Sequence, residues 1–274
     1  MKLAVFTLES LANASAVRRF IADHSGEIVF VGLSNPYRKS AGGSIGQFLR
    51  HLRRSGWRFV PYLALNFTLP EILAALRQFW PGQPAPEKTA LSKLCATSNI
   101  RWKTINDLNG DEVRDLLKAA GADLIVSFHF DQIFNADTLT SVPLGGINVH
   151  PSLLPYHRGP VPTFYALQED PPLFGVTIHR LAVQIDAGEI LAQRRIDLPP
   201  PISALGAAIK LHEEGRVLLE TVLSDMEAGQ TELSPQTLLP YCPFPSPKAL
   251  EDAARRGRSL VNLDDLRSAI RTAF

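Results

Sequence analysis

The opening of this chain constrains its fold more than any other stretch. Residues 2–7 (KLAVFT) form a nearly unbroken apolar run with no alternation of polar positions. A run of that kind suits a strand covered on both faces. Residues 14–23 (ASAVRRFIAD) follow, with Val17, Phe20 and Ile21 at helical spacing. A second strand is expected at 27–33 (EIVFVGL), a turn at Asn35-Pro36, and a second helix at 44–55 with Ile45, Phe48, Leu49 and Leu52 on one stripe. A strand–helix–strand–helix opening predicts an α/β fold, a mostly parallel sheet flanked by helices.

The same reading extends along the chain. Residues 57–82 are rich in aromatics and leucine, and are expected to be a helical excursion packed on the core. The competing readings are an oligomer interface or a membrane contact. Residues 81–87 (PGQPAPE) read as an exposed loop, and 88–96 as helix-like. A helix over Asp111–Ala120, with Val113, Leu116 and Leu117 inward, is stopped at Gly121. Strands are predicted at 123–127, 145–150, 174–180 and 189–196, and helices at 161–168, 203–226, 248–256 and 263–272. Proline-rich 240–247 (PYCPFPSP) reads as extended linker.

The 274 residues suffice for one substantial core and a smaller appendage. The formal charge of +1, from 28 basic and 27 acidic residues, gives no global attraction to nucleic acid or anionic lipid. No apolar run has the length of a membrane span, and the N-terminus lacks a signal-peptide pattern, so a cytoplasmic protein is expected. Cys95 and Cys242 are expected to be reduced thiols.

Three polar groups stand near predicted strand ends. Asn148 and His150, two apart on one strand, project to the same face. Asp186 lies in a DAG loop between two strands. A carboxamide, an imidazole and a carboxylate suit proton transfer and oxyanion stabilisation. Each also has an ordinary structural reading, as a turn cap or a satisfied core histidine.

The segments GGINVHPSLLPYHRGPVP (145–162) and FGVTIHRLAVQIDAGEILAQ (174–193) weigh between these readings. Asn148, His150, Ser152, Leu153, Leu154 and Pro155, followed by Asp186 and Gly188, resemble the pattern of the folate-dependent formyltransferases. That family includes methionyl-tRNA, glycinamide ribonucleotide and sugar N-formyltransferases. The resemblance implies a Rossmann-like catalytic domain over residues 1–200 and leaves 201–274 as a small, mainly helical C-terminal extension. It also implies transfer of a formyl group from 10-formyltetrahydrofolate to an amine. Asn148 would steady the oxyanion, His150 would polarise the formyl group and move a proton, and Asp186 would orient His150. Backbone groups of Gln132, Ile133 and Phe134, together with Gly188, would border the pteridine. No metal is expected, since His129 and Asp131 alone do not make a site.

Departures from the family bear on the acceptor. The loop after the first strand reads Thr7-Leu8-Glu9-Ser10-Leu11-Ala12-Asn13, with no glycine and an acid that opposes phosphate. The Arg158-Gly159 element resembles that of methionyl-tRNA formyltransferase. Residues 201–274 read as helical rather than as that enzyme's C-terminal β-barrel, and their cluster Arg255, Arg256 and Arg258 reads as a solvated face. The favoured acceptor is therefore a small amine such as an aminosugar. Initiator methionyl-tRNA, hydrolysis of the formyl donor and a non-catalytic ligand-binding role are the alternatives, and homo-oligomerisation stays open.

Overall fold

The computed structural model describes residues 1–36, 42–77 and 89–273. The loop expected at 81–87, and Phe79 and Trp80 before it, lie outside the described residues. Seven strands form one sheet in the order β3-β2-β1-β4-β5-β6-β7. They are β1 (Leu3–Thr7), β2 (Ile28–Ser34), β3 (Trp102–Ile105), β4 (Leu124–Phe128), β5 (Gly146–His150), β6 (Gly175–Arg180) and β7 (Ile190–Arg195). The block from β3 to β5 is parallel. β6 and β7 join it as antiparallel strands. All five residues of β1 and of β4 are buried, as their continuous apolar sequences require.

Helices cover both faces. One layer buries Val17, Phe20 and Ile21 of α1 (Ala14–Asp23) with Leu218, Leu219 and Val222 of α9 (Ala204–Glu227) against β1, β4, β5 and β6. The opposite layer sets Val113 and Leu117 of α6 (Asp111–Ala120) against Phe6, Phe30 and Ile125. Asp111 and Glu112 favour the α6 N-terminus, and Gly121, at φ +65°, ends the helix.

The aromatic segment is helical over its described part. α2 (Gly43–Ser55) leads into a helical turn at Trp57–Phe59, α3 (Val60–Leu63), a wider turn at Ala64–Thr68 and α4 (Leu69–Arg77). Phe59 and Tyr62 are buried with Phe164, Leu211 and Leu250. α5 (Leu91–Thr97) begins later than the expected 88–96. Two elements escaped the sequence reading. They are β3 and the short α7 (Ala136–Thr140). α9 packs on β5, β6 and β7, past the expected division at residue 200. Beyond it, α10 (Pro247–Arg255) and α11 (Leu263–Ala273) contribute Leu250, Ala253 and Ala269 to the same cluster as Phe59. Ser203 Oγ accepts from the Gly206 N–H at the start of α9 and donates to Asp265 of α11, fixing the two helices together. Both cysteines are free. Among the described residues no helix is long and apolar enough to cross a membrane.

Candidate active site

Because β2, β1, β4 and β5 run parallel, their carboxyl ends share one edge, where loops to opposite helix layers diverge. A cavity of about 880 Å³ opens there. Its walls include Leu8 and Glu9 after β1, Ser34 at the end of β2, residues 129–134 after β4, and Asn148 and His150 on β5. That volume falls in the range of sites that take a drug-sized ligand.

The strand register brings the polar groups together. Asn148 lies between Ser127 of β4 and His179 of β6, and His150 is paired with Thr177. His179 Nδ1 is 2.8 Å from the Arg180 carbonyl oxygen, which can only accept, so Nδ1 carries the proton. Nε2 is then a lone pair, and the Asn148 amide N–H donates to it at 3.1 Å. Burial pushes the His179 imidazole down to about 4, although the Asp186 charge opposes the shift. His179 is therefore a neutral residue that orients Asn148.

Asp186 sits across from both histidines. Its Oδ1 lies 3.6 Å from His150 Nδ1 and 3.7 Å from His179 Nε2, while Oδ2 accepts from the Gly159 N–H at 2.9 Å. His150 is 4% exposed, and its Nε2 is buried without a hydrogen-bond partner. An orphaned imidazole nitrogen on a residue lining a cavity is the kind of unsatisfied group that a substrate completes. Asn148, His150 and Asp186 thus converge at one cavity. His179 is a fourth member that sequence reasoning missed. A signal for it existed, since Thr177 and His179 are spaced by two within an expected strand, as Asn148 and His150 are.

The residues assigned to the donor divide. Gln132, Ile133 and Phe134 all line the cavity. The Gln132 side chain is spent on the scaffold, accepting from the Leu108 N–H at 3.0 Å and donating to the Ile105 carbonyl at 3.1 Å. Phe134 is buried edge-on against Phe6, and Ile133 is half exposed. These contacts tie the loop to the scaffold beside the cavity. Gly188 does not line the cavity. A Cβ there would lie 1.9 Å from the Arg180 carbonyl oxygen, so its glycine lets the Asp186 loop close onto β6.

Most backbone amides of the loop after β1 are taken up by the fold. The N–H groups of Leu8, Leu11 and Asn13 donate to the carbonyls of His129, Asn66 and Ser10. Those of Ser10 and Ala12 donate to the side chains of Asn13 and Asn66. Glu9 pairs with Arg18.

One trio among the described residues brings metal-ligating atoms close together, namely His150, His179 and Asp186. The donor set is ill suited to an ion, because the His179 Nε2 lone pair already receives the Asn148 amide proton. His129 and Asp131 are each engaged by other side chains. His129 pairs with Ser10 Oγ at 3.2 Å, and Asp131 accepts from Ser34.

Comparison with known proteins gives the family. Residues 83–223, about half of the chain, match the family model described as formyl transferase. A methionyl-tRNA formyltransferase of Chloroflexus aggregans is 40% identical over 129 residues, 47% of this chain and 42% of that protein. One from Treponema denticola is 39% identical over 126 residues, 46% of this chain and 39% of that protein. The matches thus span less than half the length of these relatives. Among solved structures, a sugar N-formyltransferase from a Shewanella species superposes with a TM-score of 0.55 at 16% identity, covering 100% of this chain and 88% of that one. The phosphoribosylglycinamide formyltransferase of Streptococcus pneumoniae gives 0.55 at 15% identity, covering 82% and 98%. Because the family model matches half of its length, the chain belongs to the formyl transferase family.

Proposed function

We propose that the protein transfers a formyl group from 10-formyltetrahydrofolate to the primary amine of a small metabolite, an aminosugar being the representative class. The observation that carries this reading is the buried, unpartnered His150 Nε2 beside Asn148, with Asp186 behind the ring. The donor supplies an electrophilic formyl carbon. Attack by the amine nitrogen puts negative charge on the formyl oxygen and positive charge on the nitrogen. Asn148 uses one amide N–H on His179 and keeps the other to donate to that oxygen. His150 takes the proton from the attacking nitrogen at Nε2 and returns it to the departing folate nitrogen as the carbon–nitrogen bond breaks. Asp186 stabilises the transient imidazolium from the Nδ1 side.

The donor's planar ring would enter between the rim of residues 132–134 and the loop of Asp186. Backbone groups of Gln132, Ile133 and Phe134 would read its edge, and Gly188 would serve by shaping the loop. The cavity's apolar lining, including Leu33, Phe130 and Leu181, supports a flat heterocycle there. The spent amides after β1 and the acidic Glu9 argue against a ribonucleotide phosphate at that loop. Initiator methionyl-tRNA is the second reading, favoured by the names of the relatives that match in sequence.

The test is to incubate purified protein with 10-formyltetrahydrofolate and a panel of amines, including nucleotide-linked aminosugars and charged initiator tRNA. Mass spectrometry then reads formylated product. Turnover of a small amine with tRNA left unmodified is expected. Efficient tRNA formylation selects the second reading, and formate released without an acceptor selects a hydrolase.

A further inference from the structure

We infer that Arg158 is a positioning residue, which with the segment 236–242 forms a clamp that sets Asp186 against His150. The inference rests on the formyl-transfer role proposed for that pair.

Arg158 is 4% exposed, and among the described residues it forms no ion pair. A buried guanidinium is costly unless its donors are met. Here they are met by backbone carbonyls. Nε donates to the Asp186 carbonyl at 3.1 Å, one terminal nitrogen to that of Ile185, and the other to that of Leu239 at 2.9 Å. The planar fork therefore spans two segments far apart in sequence. The backbone beside it completes the grip. The Gly159 N–H holds Asp186 Oδ2 at 2.9 Å, and the Cys242 N–H donates to the Arg158 carbonyl at 2.7 Å. Gly159 has φ +135°, and a Cβ there would lie 2.1 Å from the Cys242 carbonyl oxygen, so the two strands of the clamp meet with no room for a side chain. Gln236 Nε2 donates to the carbonyls of Asp186 and Gly188 from the other side.

What the clamp holds is an unfavourable backbone. Asp186 sits at φ +49°, in the left-handed region that a non-glycine residue enters at a cost. Its carboxylate needs that orientation to present Oδ1 to His150 Nδ1 and Oδ2 to Gly159. The same segment supplies Tyr241 to the cavity wall, so the clamp also joins the C-terminal part of the chain to the site.

The test compares Arg158→Lys and Gln236→Ala with the parent and with His150→Ala. Lysine keeps the charge and loses the fork. Arg158→Lys is expected to lose about ten- to a hundredfold in kcat, the scale of a small misplacement of a catalytic group. Its pH–rate profile should move to lower pH, because the imidazolium loses a well-placed carboxylate, while KM for the folate donor stays within a few-fold. Gln236→Ala is expected to show the same shift at smaller amplitude, and it guards against an Arg158 variant that fails to fold. Parent kcat and parent pH profile in a folded Arg158→Lys protein overturn the inference, as do losses in both variants with no pH shift. If His150→Ala also turns over like the parent, the underlying reading of the site has failed instead.

Discussion

The loop leaving β1 and the carboxyl end of β5 reach the same edge of the sheet but spend their polar groups in opposite ways. After β1, Asn13 is fully buried, and its amide donates toward Thr7 Oγ1 and the carbonyls of Leu8 and Phe128 while its Oδ1 accepts from Ser10. The Asn13 side chain is there spent on the fold. At the end of β5, His150 keeps a buried nitrogen unpartnered, and Asn148 has an amide proton beyond the one given to His179. Leaving such groups unmet costs stability. The contrast sets the unpartnered His150 Nε2 against Asn13, whose side chain is fully engaged by the fold.

A large effect on the side of β5 sharpens this contrast. Asn148→Ala removes the proposed oxyanion donor and should lower kcat by about a hundred- to a thousandfold. Donor affinity, read by fluorescence titration, should be mostly kept. On the side of β1, Asn13→Ala leaves several buried groups unsatisfied and should cost about 3 kcal/mol in urea unfolding. The part that stays folded should keep the parent kcat. A large kcat loss in folded Asn13→Ala would break the contrast.

The smallest expected effect lies far from the site. His24 bonds Glu27 and Glu220 at 2.7 Å each. Burial opposes its charge, but the hydrogen bonds and charges of the two glutamates together hold the imidazole above its ordinary value. The folded state thus binds the proton more tightly than the unfolded chain. The resulting stability is full below about pH 6.5, the unfolded value, and is lost as pH rises through the folded value. Half-exposed pairs are screened, so a loss of about 0.5 kcal/mol between pH 6 and pH 9 is expected, and it should vanish in His24→Asn.

Much of the fold was legible because its signals are local. β1, β2, β4 and β5 are apolar runs, and α1 and α6 show clean helical stripes. β3 was not legible, because only Ile105 of its four residues is buried, and Lys103 and Thr104 give no strand pattern. The same-face pairing of Asn148 and His150 followed from strand periodicity. Asp186 was recognisable through the family pattern, not through its turn chemistry. His179 shared the spacing of two with Thr177, but its pairing with Asn148 depends on β6 lying antiparallel beside β5, a tertiary fact. Arg158 was visible as part of a motif, but its carbonyl partners at Ile185 and Leu239 come from folding.

The central claim is that the open nitrogen of His150 moves the proton in formyl transfer. The measurement that tests it most directly is kcat of His150→Ala on the accepted amine, taken with donor affinity and a melting curve. His150 ends β5 at the cavity wall, and its Nε2 bonds to nothing in the fold, so its loss should leave melting and donor binding near parent values. Turnover should fall by about a hundred- to ten-thousandfold. A variant that melts normally, binds the donor normally and turns over at near the parent rate would contradict the account.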